Sequence, residues 1–317
     1  MINLRVSFEA DRGWIHNFGD ALVPHLLGAM GFRCLPRSVP DALVSNPGRC
    51  LLVIGSLLTS ADLRRIDQPI DVWGCGWKGM EAFEGYEGDL TFHAVRGPLT
   101  AAGLCPDADV AIGDPALLLP LLFPRPRRPH GRTLLLQHLD RIESRTARRR
   151  AETAGCDEVR SPLVRAAFSL DTALRVPPGM VARDLRRWGR LRRVGVHSLW
   201  ATLDRIAGAD FVLTGSLHGA ILAQAYGVPW AAYTDGCADS PSKWRDWGAY
   251  LGVPVEFTRS LPEGREWWQA HGRSARLRDV APLVRTFPYL GQSPRARHLL
   301  ARLEADAARA PVEPSRS

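Results

Sequence analysis

Two side chains stand where a folded chain handles anions and protons, His218 and Arg96. His218 lies in LTGSLHGAILAQAYGVP, residues 213–229. The apolar run ending at Leu213 reads as a buried strand, with Phe211 and Val212 at its centre. Thr214, Gly215 and Ser216 make a tight turn. Small or helix-favouring residues follow to Tyr226, and Gly227 and Pro229 end the helix. His218 thus falls in a first helical turn at the carboxyl end of a strand, the edge at which open α/β sheets bind ligands. Unpaired backbone N–H groups and the helix dipole favour an anion there. A histidine adds a group that binds an anion or moves a proton near neutral pH. The same residues also suit a plain strand–helix turn in which His218 caps the helix, and the local pattern leaves both roles open. Arg96 ends FHAVRG, just before Gly97-Pro98 opens a helix. That is a poor place for a core residue and a good one for bidentate binding of a carboxylate or phosphate.

Further candidates cluster at similar junctions. Asn17, Gly19 and Asp20 sit in HNFGDALVPHLL, residues 16–27, where a loop becomes an amphipathic helix. Gly19 permits close backbone approach, and Asp20 serves either as a helix cap or as a base toward a hydroxyl. VIGSLL (53–58) and VWGCGWKG (72–79) carry glycines directly after buried strands, where backbone N–H groups reach a phosphate or a sugar. Neither matches a P-loop or a GxGxxG fingerprint, and tight turn packing would explain either alone. Asp114, between Gly113 and Pro115, reads as a helix cap, and His93 as a strand-face residue. Lys243 stands near the start of another helix, capped by Asp239 or Ser240, and can hold a phosphate; Trp244 and Trp247 on that helix suit packing.

The elements that present these residues alternate as βαβ units. Strands are predicted near Leu4–Phe8, Cys50–Ile54, Ile70–Trp73, Leu90–Val95 and Val110–Ile112, with helices over Asp20–Met30, Ala61–Arg65, Pro98–Gly103 and Pro115–Leu121. PRPRRPHGR, residues 124–132, marks a linker. Strands resume at Thr133–Gln137, Glu158–Arg160, Arg193–His197, Asp210–Leu213 and Trp230–Tyr233. Helices are predicted over Ile142–Ala154, Ala166–Leu174, Trp200–Gly208, His218–Tyr226, Ser242–Leu251, Arg265–Leu277 and Arg295–Ala308. The expected architecture is α/β: two Rossmann-like doubly wound domains with a ligand cleft between them. The first domain covers 1–124, a linker 125–132 and the second domain 133–290; a helix and a disordered tail fill 291–317.

Composition narrows the function classes. The 317 residues are 45% hydrophobic and 23% charged, ordinary for a globular protein of one large or two medium domains. The chain has no apolar run of about 18 residues that would span a membrane, and MINLRVSFEADRG lacks a signal-peptide pattern. The six cysteines are scattered without a CxxC pair, so neither zinc nor a disulfide framework is expected, and a cytoplasmic setting fits. Nor does any metal-ligand cluster stand out. The net charge of +8 and pI near 9.6 suit an anionic partner: a nucleotide, a phosphorylated substrate or the inner face of a membrane. Six arginines in residues 183–193, with Leu185, Trp188 and Leu191 at helical spacing, form either a basic amphipathic helix on a membrane or a solvated helix face. No nucleic-acid motif accompanies the charge, so nucleic acid is not an expected partner.

Taken in order, NFGDALVPHLL, VIGS, WGCG, VRGPLT, VAIGDPALLLP and IAGADFVLTGSLHGAILAQAYGVP resemble the polysaccharide pyruvyl transferase family, over roughly residues 14–252. The flavour is similar to bacterial exopolysaccharide ketal-forming members. The resemblance implies a GT-B-like pair of Rossmann-like domains, phosphoenolpyruvate as donor and a saccharide hydroxyl as acceptor, with no further cofactor. It assigns phosphoenolpyruvate binding to Arg96, donor binding and proton transfer to His218 with Leu217 lining the same spot, and acceptor contact to Asn17 and Asp20. Lys243 is a third donor contact. The implied acceptor is lipid-linked, at the inner membrane face. Residues 140–200 show no family landmark. Two other classes share such a cleft: a GT-B glycosyltransferase using a nucleotide-sugar, and a non-catalytic saccharide-binding or membrane scaffold.

Overall fold

The computed structural model describes residues 1–7, 15–79, 83–84, 86–124, 130–137, 154–160, 163–165, 197–236 and 240–309. The basic stretch 183–193, the helix expected over Ala166–Leu174, nearly all of the one over Ile142–Ala154, most of the linker, Asp239 and the final tail lie outside the described residues.

The N-terminal half is a parallel sheet. Strand β1 (Ile2–Arg5) is followed by β2 (Ile15–Asn17), helix α1 (Phe18–Ala29) and β3 (Phe32–Leu35), which pairs back on β1. Then come β4 (Cys50–Leu52), α2 (Ser60–Leu63), β5 (Ile70–Trp73), β6 (Leu90–Val95), α3 (Pro98–Leu104) and β7 (Ala111–Ile112), with sheet order β4-β5-β6-β7. A bridge from Val6 to Leu51 joins β1 to β4. The combined order is β3-β1-β4-β5-β6-β7, so the winding reverses between β1 and β4. Strand side chains alternate faces. Leu51, Val53, Trp73 and Ala94 join the main core, whereas Cys50, Leu52, Ile70, Val72 and Val95 pack in a smaller cluster on the other face. Both faces are buried, as parallel sheets require.

A 3₁₀ turn (Pro115–Leu118) and α4 (Leu119–Leu122) lead into the second half. Its strands are β8 (Thr133–Leu136), β9 (Glu158–Arg160), β12 (Phe211–Thr214), β13 (Trp230–Tyr233) and β14 (Phe257–Thr258), all parallel in the order β14-β13-β12-β8-β9. The reversal here lies between β8 and β12. Strands β10 (Leu163–Arg165) and β11 (His197–Ser198) instead pair with β2 in a separate small sheet. The strand expected at Arg193–His197 thus has its described end outside the main sheet. Helices α5 (Leu199–Ala207), α6 (Leu217–Ala225), α7 (Pro241–Leu251) and α8 (Leu261–Ala270) flank the sheet.

The last segment, α9 (Ala281–Arg285) and α10 (Pro294–Arg309), returns to the N-terminal half. The Trp73 indole donates to the Leu283 carbonyl at 2.8 Å, and Phe287 meets Phe32 and Trp73 edge-on. One buried core runs from Leu4 and Phe18 through Leu135 and Val212 to Val284. The fold is two doubly wound, Rossmann-like halves in a GT-B-like arrangement.

Candidate active site at the facing strand ends

Arg96 sits directly after β6 and is fully buried. Its guanidinium donates to Ser56 Oγ at 2.7 Å and to the Trp77 carbonyl at 3.3 Å, both on loops that leave neighbouring strands of the same sheet. Nε lies 3.8 Å from Asp246 Oδ2 and has no hydrogen-bond partner among the described residues. Gly76 makes the space: a Cβ there would lie 2.2 Å from the guanidinium carbon. The glycines of WGCGWKG therefore admit an arginine as well as a turn.

His218 comes from the other half. It is the second residue of α6, at the end of β12, which is the reversal point of that sheet. Ser216 occupies the N-cap position without a side-chain cap bond, so His218 is not the cap. The ring is nearly buried against α1, where a Cβ on Gly19 would lie 2.2 Å from Nδ1. Burial, then the charges of Arg96 and Lys243, hold its pKa far below the ordinary value, at about 3, so the imidazole is neutral at pH 7. Nε2 faces Asp114 Oδ2 at 3.8 Å, beyond hydrogen-bond length, and neither atom has a hydrogen-bond partner among the described residues.

Asp114 does cap the turn that follows it, with Oδ1 accepting from the Ala116 amide at 2.9 Å. Its other oxygen is the one facing His218. Burial raises its pKa to about 6, against the pull of the Ala116 amide and the Arg96 charge. Three buried polar atoms without partners, Arg96 Nε, His218 Nε2 and Asp114 Oδ2, thus belong to residues gathered at this junction. Nearly all buried polar groups in native proteins are paired, so this junction is the candidate site.

Asp20 and Asn17 flank this site. Asn17 is the N-cap of α1, accepting from the Gly19 amide at 3.3 Å, so the cap role considered for Asp20 falls to Asn17 instead. Asp20 is buried in the first turn, and its Oδ1 lies 3.4 Å from where a Cβ on Gly55 would stand, at the reversal point of the first sheet. Leu217 packs in the main core beside His218. Lys243, nearly buried on α7, is close enough to depress the His218 pKa. Ser240 holds the N-cap position of α7 in a left-handed conformation (φ 42°) and makes no side-chain cap bond. His93 lies on β6 and binds Asp71 at 2.9 Å, as part of a separate network with Arg49 and Tyr289.

Two contributors escaped the sequence reading, Ser56 and Asp246. Asp246 is fully buried on α7 and accepts from the Leu99 amide (2.9 Å), the Thr100 amide (3.1 Å) and Thr100 Oγ (2.7 Å). A signal was available: α3 begins at Gly97-Pro98, and glycine has no side chain to satisfy the orphan amides of the first turn. Some other acceptor had to reach them.

The polysaccharide pyruvyl transferase family model matches residues 17–235, which includes Asn17, Asp20, Arg96, Asp114 and His218. The chain belongs to the polysaccharide pyruvyl transferase family. This pyruvyl transferase family member is also similar to the succinoglycan biosynthesis protein ExoV of Rhizobium meliloti (strain 1021), 39% identical over 51 residues, which are 16% of each chain. Among solved structures, a functionally uncharacterised protein of Klebsiella pneumoniae aligns with 80% of this chain and 92% of its own at 12% identity and a TM-score of 0.44. The heptosyltransferase WaaC of E. coli, solved with ADP-2-deoxy-2-fluoro heptose, covers 76% of this chain and 91% of its own at 14% identity and a TM-score of 0.31. Among the described residues, no helix is long and apolar enough to cross a membrane.

Proposed function

We propose that this protein transfers pyruvate from phosphoenolpyruvate to hydroxyls of an exopolysaccharide repeat unit, forming a pyruvate ketal and releasing phosphate. The repeat unit is carried on a lipid, and the protein works at the inner face of the membrane. The observation that supports this most is the junction of buried Arg96 with His218, Lys243 and Asp114 at facing strand ends, within the span of the family match.

The donor carries a carboxylate and a phosphate, so it calls for cations and N–H groups. Lys243 and the amino end of α6 supply these at the rim. Arg96 lies behind Ser56, and the anion reaches it when Ser56 Oγ turns away. Protonation of the enol CH₂ makes C2 an oxocarbenium-like electrophile, and a sugar hydroxyl attacks it while losing its proton to a base. Phosphate then leaves with its bonding pair, and a second hydroxyl adds to C2 and loses a proton, closing the ketal. A neutral His218 fits this sequence: Nε2 takes a proton when the bound dianion raises its basicity, and returns it to the enol carbon or the departing phosphate. Asp114, titrating near pH 6, keeps an acid or carboxylate beside that ring. Asp20 is the candidate base toward the acceptor.

The test is thermal stabilisation by phosphoenolpyruvate and by UDP-sugars in wild type and Arg96→Ala. A ligand at about 100 times its dissociation constant adds about 2.7 kcal/mol. Stabilisation by phosphoenolpyruvate that Arg96→Ala abolishes is expected. Stabilisation by a nucleotide-sugar alone would move the assignment to glycosyl transfer.

A further inference from the structure

We propose that Asp246 is a positioning residue that aligns Arg96 and Lys243 for the donor anion from the opposite half of the molecule; this rests on the donor-site reading above. Its carboxylate is fully buried and joins the C-terminal helix α7 to the first turn of α3, the helix that begins two residues after Arg96. Oδ1 accepts from two backbone amides, at 2.9 and 3.1 Å, and Oδ2 accepts from Thr100 Oγ at 2.7 Å. Oδ2 also lies 3.8 Å from Arg96 Nε. The backbone is shaped for this contact, since a Cβ on Gly97 would stand 2.3 Å from Oδ1.

Lys243 and Asp246 are three residues apart on one helix and therefore share a face. Pinning Asp246 to α3 sets how far Lys243 stands from Arg96, although the two cations come from different halves of the molecule. The carboxylate stands on the Nε side of Arg96 and offsets part of its charge, which favours one orientation of the guanidinium plane. An asparagine preserves an acceptor for the Leu99 and Thr100 amides but removes the charge beside Arg96. A donor anion would then meet a guanidinium held only by Ser56 and the Trp77 carbonyl.

The experiment is calorimetric titration of Asp246→Asn and Thr100→Val with phosphoenolpyruvate and, separately, inorganic phosphate, alongside amide hydrogen exchange. Asp246→Asn is expected to weaken phosphoenolpyruvate binding at least tenfold, and Thr100→Val, which keeps the carboxylate, two- to threefold. Exchange at Val212 and Leu213 in the central strand reports whether the fold is intact. Binding within twofold of wild type in Asp246→Asn, with that strand still protected, overturns the proposal: Asp246 would then act on stability alone. Wild type that binds phosphate but not phosphoenolpyruvate would sink the donor assignment, while the phosphate affinities still decide the Asp246 role. If wild type binds neither, exchange decides. Asp246→Ala removes the acceptor of the Leu99 and Thr100 amides; faster exchange there and at the amides of α7 together supports the coupling of the two helices, and unchanged exchange overturns it.

Discussion

The N-terminal and C-terminal sheets share one strand order, yet they contribute to the site in different ways. In each, the winding reverses between the first strand of the sheet and the third, β1 and β4 in one, β8 and β12 in the other. The N-terminal half places its charges and a hydroxyl on strand ends and loops: Arg96 after β6, Asp114 after β7, Ser56 after β4. It also supplies the space, through Gly19, Gly76 and Gly97. The C-terminal half supplies side chains from helices, His218 and Lys243 from the first turns of α6 and α7 and Asp246 from the middle of α7, and two of these enter the spaces that Gly19 and Gly97 leave open. One half is a socket and the other fills it. Because a single core runs through both, the fit is set by packing and not by a flexible linker.

The comparison breaks most visibly at Arg96. Arg96→Ala removes the socket's cation and leaves Asp246 buried without its charge partner. Donor binding is expected to fall more than a hundredfold by calorimetry, and stability by about 3–5 kcal/mol in denaturant unfolding. His218→Ala tests the other half: turnover in a phosphate-release assay should drop by about 10²–10⁴-fold with the fold intact. A loss below tenfold would remove His218 from proton transfer.

Glycine substitutions separate socket from scaffold. Gly19→Ala and Gly97→Ala drive a methyl into His218 and Asp246, and each should cost about 1–3 kcal/mol through overpacking. Gly28→Ala, on the same helix as Gly19 but with open space around its Cβ position, should instead stabilise by about 0.5–1 kcal/mol. Equal effects at Gly19 and Gly28 would mean that the close approach to His218 has no consequence.

The pH dependence carries two opposing signs. His218 is depressed, so the unfolded chain binds a proton that the folded chain refuses, and stability is lost as pH falls below about 6.5 toward 3. Asp114 is raised, so the folded chain holds a proton the unfolded chain has released. Its contribution is present below about pH 3.8 and is lost as pH rises through about 6. Asp114→Asn keeps the cap acceptor and deletes that loss. Its stability relative to wild type should be about 2–3 kcal/mol more favourable at pH 8 than at pH 4, and a difference that does not change with pH would sink the assignment. The smallest effect belongs to Ser56. Ser56→Ala uncovers an Arg96 donor, so phosphoenolpyruvate should bind equally well or a few-fold tighter; marked weakening would make Ser56 a donor contact in its own right.

Much of the fold was legible because its signals are short-range. Ile70–Trp73, Leu90–Val95 and Trp230–Tyr233 form strands at the residues where their apolar character put them, and Glu158–Arg160 forms one at its predicted bounds. The helices beginning near Phe18, Pro98, Leu217 and Pro241 start within two residues of expectation. The strand Phe32–Leu35 was missed because Arg33 interrupts a short apolar run that only the edge position beside β1 makes stable. The predicted Pro115–Leu121 helix divides into a 3₁₀ turn and a short α-helix, with Pro120 inside the segment. Arg96 and His218 were visible as charged or titratable residues at strand ends. Asp246 was not, since on sequence it is one acid among the polar residues of a helix.

The sequence by itself determined where strands end and helices begin, because those limits follow from apolar periodicity, glycine and proline within a few residues. It also determined that Arg96 and His218 occupy the carboxyl ends of strands. Only the tertiary structure decided that the two share one site, that Asp114 faces the imidazole, and that Asp246 caps a helix 146 residues away. Those pairings depend on which strands neighbour one another and on how the two halves pack. That is a property of the whole buried core, and no local window of sequence contains it.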